Sequence, residues 1–241
     1  MPGSGDEAMS KETLSIVIPT LNEAGVIGGQ LARLQALRRR GVEVVVADGG
    51  STDGTPELAA ALVDAVVFAP RGRAAQMNAG AQRTRGNVLL FLHADTRLPE
   101  RADELITTGL AAARKTWGRF DVQIEGTHPL LRLVAVLMNW RSRLTGIATG
   151  DQAIFVRRST FERCDGFKAI PLMEDIALSR RLKWFGRPLC LRTRAITSGR
   201  RWQRDGVVRT ILLMWQLRLG YFFGVGPVRL ALRYDHGRSE P

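Results

Sequence analysis

The chain has little cysteine, little lysine and no long uninterrupted apolar run. Cys164 and Cys190 are its only cysteines in 241 residues. Two cysteines make neither a disulfide framework nor a cysteine metal cluster, and they suit a reducing compartment better than an oxidising one. The longest apolar stretch, Ile211 to Val228, is interrupted by Gln216, Arg218, Gly220, Gly224 and Pro227. A membrane span needs about 20 mainly apolar residues, so this stretch reads as buried or interfacial. No solenoid period recurs, and glycine and proline follow no collagen-like pattern. The first 13 residues are polar and partly acidic. They lack the apolar block of a signal peptide and predict a disordered start.

What is abundant is arginine. Lys11, Lys115, Lys168 and Lys183 are the only lysines among 35 basic residues, and the formal charge is +12. Arginine forks suit phosphate and carboxylate, which admits a nucleotide, an anionic membrane surface or a nucleic acid. A biased genome composition explains the same excess. Apolar residues make up 45% and charged residues 24%, a globular composition. The length fits one α/β domain.

Strand and helix signals alternate through the first half. Leu14–Ile18 is a strand stopping at Pro19, and 23–39 has helical apolar spacing through Val26, Ile27, Leu31, Leu34 and Leu37. Strands are expected at 43–47, 65–68 and 88–92, with helices at 56–62, capped by Thr55, and 73–83. Such continuous apolar strands alternating with helices define a parallel sheet covered on both faces. Further on, helices are expected at 99–113, 129–144, 174–185 and 206–222, and strands at 118–125, 153–157 and 189–196.

In such sheets ligands bind beyond the carboxyl ends of the strands. Each of the first four strands ends or leads into a polar or glycine-rich cluster: Pro19 to Glu23, Asp48 to Thr55, Arg71 to Asn78, and His93 to Thr96. Singly, each is explained as a helix cap or a turn. Together they favour a nucleotide site. The dinucleotide fingerprint is absent, and Thr55 stands where a phosphate-binding loop requires lysine. Asp95 directly follows a buried strand, where a lone carboxylate suits a divalent cation shared with a diphosphate. Capping the turn before Pro99 is the alternative.

Five ordered segments are familiar: 14–23 (LSIVIPTLNE), 44–55 (VVVADGGSTDGT), 73–80 (RAAQMNAG), 89–96 (LLFLHADT) and 173–175 (MED). They resemble family 2 glycosyltransferases of the GT-A fold, and the resemblance runs from about Leu14 to Trp202. Segments 150–158, 171–182 and 197–202 are similar to a subgroup labelled arsenosugar-biosynthesis-type glycosyltransferases. The resemblance implies an α/β, Rossmann-like nucleotide-binding half with a mostly parallel sheet, an acceptor half, and a basic amphipathic C-terminal helix. The implied bounds are 14–97 for the nucleotide half, 98–205 for the acceptor half and 206–241 for the helix and tail.

The resemblance also implies roles. Pro19, Thr20 and Glu23 would border base and ribose. Asp48 would bond the base or ribose, and Asp53 would support its loop. Arg73 and Asn78 would lie near the donor. Asp95 matches the metal-binding aspartate of the family's D-x-D motif, with Ala94 before it and His93 where the first Asp belongs. Asp175, beside Glu174, matches the general base of inverting members. The polymer-synthase motif Q/R-x-x-R-W appears as Ser198 to Trp202 with serine first, which argues for transfer of a single sugar.

Transfer from a nucleotide sugar must stabilise the leaving diphosphate. A Mn²⁺ or Mg²⁺ ion on Asp95, Arg73, and Arg200 or Arg201 suit that need. The acceptor hydroxyl must lose its proton to a carboxylate. Two acids at a helix start also favour the helix dipole without any catalysis. Trp202 either closes over the donor or packs in the core, and Gly150, Asp151 and Gln152 either face the acceptor or form a turn. The expectation is a glycosyltransferase taking a nucleoside-diphosphate sugar, a UDP-sugar foremost, and a small-molecule or lipid acceptor. It is expected to be cytoplasmic, with peripheral contact at the inner membrane face through 129–144 and 206–222 left open. No nucleic acid motif is present, and the sequence is silent on oligomeric state. A nucleotidyltransferase, or a basic membrane-surface or nucleic-acid-binding module, is the competing reading.

Overall fold

Apolar strands that alternate with helices need cover on both faces, and the computed structural model supplies it in layers. It describes residues 12–236. The first strands are β1 (Leu14–Thr20), β2 (Glu43–Asp48), β3 (Ala65–Phe68) and β4 (Val88–Phe91). They alternate with α1 (Ala24–Arg39), α2 (Thr55–Ala60) and α3 (Arg73–Arg83). Successive strand residues point to opposite faces. Ile16, Ile18 and Leu90 join Leu31 and Leu34 of α1 on one side. Val17, Leu89 and Phe91 join Ala74 and Met77 of α3 on the other. Gly80 lets α3 lie close on the sheet, because a Cβ there would collide with a Val17 methyl.

The rest of the chain adds β5 (Thr96–Arg97), α4 (Ala102–Ala112), β6 (Trp117–Ile124) and α5 (Pro129–Thr145). It continues with β7 (Phe155–Arg157), α6 (Arg158–Arg163), α7 (Glu174–Leu182) and β8 (Leu189–Thr197). The last elements are α8 (Arg200–Asp205), α9 (Val207–Phe222) and α10 (Pro227–His236). One sheet results, in the order β3-β2-β1-β4-β7-β6-β8-β5. β3, β2, β1 and β4 are parallel, as are β6 and β8. β7 runs antiparallel to both β4 and β6, and β5 antiparallel to β8. The sheet is thus the mostly parallel, helix-flanked one expected.

A buried ionic network fastens α5 to β6. Arg119 is fully buried and pairs with Asp121, while both Asp121 oxygens accept from Arg143 at 2.8 Å. Arg119 also donates to Ser142 and to the Asn139 carbonyl, each at 3.1 Å. The groups of this network are satisfied by one another, which is the condition for burying charge at all.

Several boundaries differ from expectation. β1 does not stop at Pro19 but continues to Thr20. The missing N–H of Pro19 faces the β4 side, and β4 has already ended: Val17 opposite Phe91 is the last β1–β4 pair. Thr55 does not cap α2. It is the first helical residue, after Gly54 in the left-handed region at φ 85°. β7 starts at Phe155, because Ala153 sits at φ 48° and breaks the strand before it. α7 ends at Leu182 and continues as a single tighter turn, Lys183–Phe185. Elements β5, α6, α8 and α10 were not expected. Of the expected disordered start, residues 1–11 lie outside the described residues, but Glu12 and Thr13 are held. Arg157 pairs with Glu12 at 2.6 Å, and the Thr13 N–H donates to Asn87. The C-terminal region holds two helices, and residues 237–241 of the expected tail lie outside the described residues. Among the described residues no helix is long and apolar enough to cross a membrane.

Candidate active site

The loops after β1 and β2 are sewn together by short polar side chains. Asp48 is fully buried. Its Oδ1 accepts from the N–H groups of Gly50 and Ser51 at 2.9 and 2.8 Å. Its Oδ2 accepts from the hydroxyls of Ser51 and Thr20 at 2.6 and 3.0 Å. Burial opposes the charge, but these bonds outweigh it and hold the Asp48 carboxyl below its ordinary range. Asp48 was expected at the base or ribose. In the structure its four acceptor positions are taken by the loop, with the Thr20 hydroxyl among the donors.

Asp53 does the same at the start of α1. Its carboxylate accepts from the Thr55 hydroxyl at 2.6 Å and from the first N–H of the helix, Ala24, at 2.9 Å. The Thr55 bond and then the Ala24 bond lower its pKa. Gln76, missed in the sequence although it lies inside a recognised motif, is buried and donates to the carbonyls of Thr20 and Ala47. It fixes the ends of β1 and β2 to α3.

A second group of polar residues is far less satisfied. Asp95 follows β4, and its carboxylate has one long contact, Arg200 Nη2 at 3.8 Å. Glu23 stands beside it. Burial pushes the Glu23 carboxyl up and the Asp95 charge adds to this, while Arg200, Arg73 and His93 oppose. The His93 ring lies 3.4 Å from Asp151 Oδ1. The turn Gly150–Gln152 presses on that ring, since a Cβ at Gly150 would collide with it. The Gly150 N–H in turn donates to Asp175 Oδ2 at 2.9 Å. One chain of contacts therefore runs from the end of β4, through Gly150 and Asp151, to the start of α7.

Arg73, at the start of α3, faces this group. Burial opposes its charge, but Glu174, Tyr234, Asp151 and Asp175 reinforce it and raise its pKa. It is solvent-reachable and makes no hydrogen bond to the described residues. Asp151 is likewise deep in the crevice yet 44% exposed at its side chain. Burial opposes its ionisation; the His93 bond and the charges of His93, Arg73 and Arg218 outweigh that and lower its pKa. Glu174 is buried, and burial followed by the Asp175 charge raises its pKa. Asp175 is half-buried, and its other oxygen accepts from the Ile176 N–H at 2.7 Å.

Glu23 sits at this mouth, and other expected residues have partners of their own. Both ends of the Asn78 amide are bonded to the Phe167 backbone at 2.8 Å, so Asn78 pins the α6–α7 connection. Ala94 is buried in the sheet core, leaving only its backbone for a ligand. Trp202 packs against the cluster of Val122, Leu131 and Met138, the core alternative of its two readings. Arg201 stacks on Tyr234, its guanidinium carbon 4.2 Å from the ring centroid. Two arginines of the crevice were missed. Arg141 of α5 has buried Nε and Nη2 atoms without partners. Burial and the nearby charge of Arg218 from α9 push it down to about 10.

Among the described residues no three metal-ligating side chains converge. A cation held by protein alone does not fit here. A cation shared between Asp95 and a diphosphate does fit, because such ions keep few protein ligands and take phosphate oxygens, and the Asp95 carboxylate has acceptor positions to spare.

A parallel sheet crossed by antiparallel β7, with an acidic crevice at its carboxyl ends, is the GT-A architecture. The sequence signature described as "Glycosyl transferase family 2" matches residues 15–164. The chain belongs to this family. The succinoglycan biosynthesis protein ExoA of Rhizobium meliloti is 50% identical over 172 residues, which cover 68% of this chain and 43% of ExoA. The chain thus spans less than half the length of this curated relative. Among solved structures, S. aureus TarS in complex with UDP-GlcNAc aligns at TM-score 0.63 and 16% identity, over 77% of this chain and 58% of TarS. The mannosyltransferase PcManGT from Pyrobaculum calidifontis, in complex with GDP-Man and Mn²⁺, aligns at 0.62 and 20% identity, over 96% and 71%. At such identities these two likenesses speak for the fold.

Proposed function

We propose that the chain transfers one sugar from a nucleoside-diphosphate sugar to a hydroxyl acceptor, with inversion at the sugar carbon. The observation that carries this reading is the contact chain His93–Gly150–Asp175, which starts two residues before Asp95. It links the loop of an open carboxylate, for the diphosphate, to a second carboxylate, for the acceptor. Residues 14–97 form the donor half and 98–205 the acceptor half, with 206–241 appended.

Asp175 takes the proton of the acceptor hydroxyl as that oxygen attacks. The Gly150 N–H holds its Oδ2 in place, and Glu174 lies beside it. The leaving diphosphate is met by Arg73 and Arg200. Asp95, with Glu23 beside it, would hold Mn²⁺ or Mg²⁺, which supplies neutralising charge to the diphosphate when bound. His93, paired with Asp151, is a hydrogen-bond donor on the same side. Attack from the Asp175 side, opposite the diphosphate, inverts the sugar carbon. The donors bound by TarS and PcManGT make UDP- and GDP-sugars the first to assay.

The test is release of nucleoside diphosphate from a panel of UDP- and GDP-sugars, water serving as the slow acceptor, with the anomer of the freed sugar read by NMR. Release with inverted configuration is expected. Retention would remove the single-displacement mechanism, and absence of release and of binding for every donor would remove the function.

A further inference from the structure

The core explains only one side of α5. Leu131, Ala135 and Met138 pack toward β6. On the other side Leu133, Val136, Leu137, Trp140 and Leu144 recur at helical spacing, all more than half exposed, with Trp140 at 64%. α9 repeats the pattern. Leu213, Met214 and Leu217 pack toward Met173 and Ile176. Val208, Leu212, Trp215, Leu219 and Phe222 lie at least half exposed, and Phe223 just beyond reaches 78%. The two helices touch, and Arg141 and Arg218 lie within electrostatic reach of one another. Folded monomers rarely leave so many large apolar side chains exposed on two touching helices.

We propose that this face of α5 and α9 seats itself in the interfacial layer of an anionic bilayer, with both helices lying along the surface. Charge selects this occupant. Neither helix contains an acidic residue, and each exposes an arginine, Arg132 on α5 and Arg209 on α9. Tryptophan and phenylalanine sit at the boundary between headgroups and acyl chains, and arginine heads reach phosphates while their stems stay apolar. A second copy of the chain, itself at +12, would bring like charge against like. No helix of the described residues can cross the bilayer, so the contact is parallel to it. α9 packs on Met173 and Ile176, which flank Glu174 and Asp175, so docking brings the acceptor end of the crevice to the membrane surface.

The test sediments the full chain with vesicles of phosphatidylcholine alone or mixed with phosphatidylglycerol. Binding to the anionic vesicles at low salt is expected to exceed binding to neutral ones, or binding at high salt, by about tenfold. The double variant Trp140→Glu, Trp215→Glu changes exposed side chains only. It should lose about tenfold of vesicle binding while keeping its melting temperature and its nucleotide-induced stabilisation, readouts that separate this surface from the transfer reaction. No sedimentation at low salt, or equal sedimentation by the variant, would overturn the proposal. So would a dimer in light scattering that the variant dissolves and that ignores vesicles, because the face would then join two copies.

Discussion

Two sets of carboxylates meet at the strand ends, and they differ in what their oxygens already do. Asp48 accepts four hydrogen bonds, from Thr20, Ser51 and the loop amides, and Asp53 accepts from Thr55 and Ala24. Among the described residues Asp95 and Asp151 carry one long contact each, to Arg200 and His93, and Asp175 accepts two amide hydrogens. The first set is spent on holding a shape. The second keeps acceptor positions for a cation, a sugar or a proton. Acidic residues in a motif are thus of two kinds, and hydrogen-bond accounting separates them where residue type does not.

The comparison is sharpest at Asp175. Asp175→Asn keeps shape and size and removes the base, so turnover should fall about 10²–10⁴-fold with donor binding intact. Turnover near that of the parent chain would move the base elsewhere. On the saturated side, Asp48→Ala strands several buried donors, and a urea melt should show a loss of about 1–3 kcal/mol. An unchanged midpoint would show that the loop holds itself.

The pH dependences of Asp48 and of Glu174, the neighbour of Asp175, are opposite in sign. Asp48 binds its proton less tightly when folded, so its contribution is present at neutral pH and is lost as pH falls below about 3.8 and through its folded value. Glu174 binds its proton more tightly when folded. It favours the folded chain below about pH 4.5, and that contribution is lost as pH rises through its raised folded value. Glu174→Gln should therefore raise the melting temperature slightly at pH 7, with the gain vanishing in acid. A lower melting temperature at pH 7 would mean that Arg73 compensates the Glu174 charge in full.

Much of the donor half was legible, because β1 to β4 are unbroken apolar runs and the bounds of α3, Arg73 and Arg83, fall where the helical spacing puts them. The acceptor half was less so. A strand was expected over 153–157, but β7 is only three residues long, starting after a left-handed Ala153, and no local signal gives its antiparallel direction. α10 begins at Pro227 beyond the Gly224 break, inside what hydropathy blurs into one stretch. In the site, residue types pointed to Asp95, Arg73 and Asp175, which the fold gathers. They pointed equally to Asn78, Trp202 and Arg201, whose partners Phe167, Leu131 and Tyr234 lie far away in sequence. Arg141 and Arg218 enter the crevice from separate helices, a meeting that only tertiary packing creates.

The most direct measurement is a thermal melt with UDP or GDP, with and without Mn²⁺, on the parent chain and on Asp95→Ala. A nucleotide at about 100 times its dissociation constant should stabilise by roughly 2.7 kcal/mol. That gain should grow with Mn²⁺ only in the parent chain, and Mn²⁺ alone should do nothing. Stabilisation by Mn²⁺ without nucleotide, or an equal Mn²⁺ effect in Asp95→Ala, would contradict the division between spent and open carboxylates.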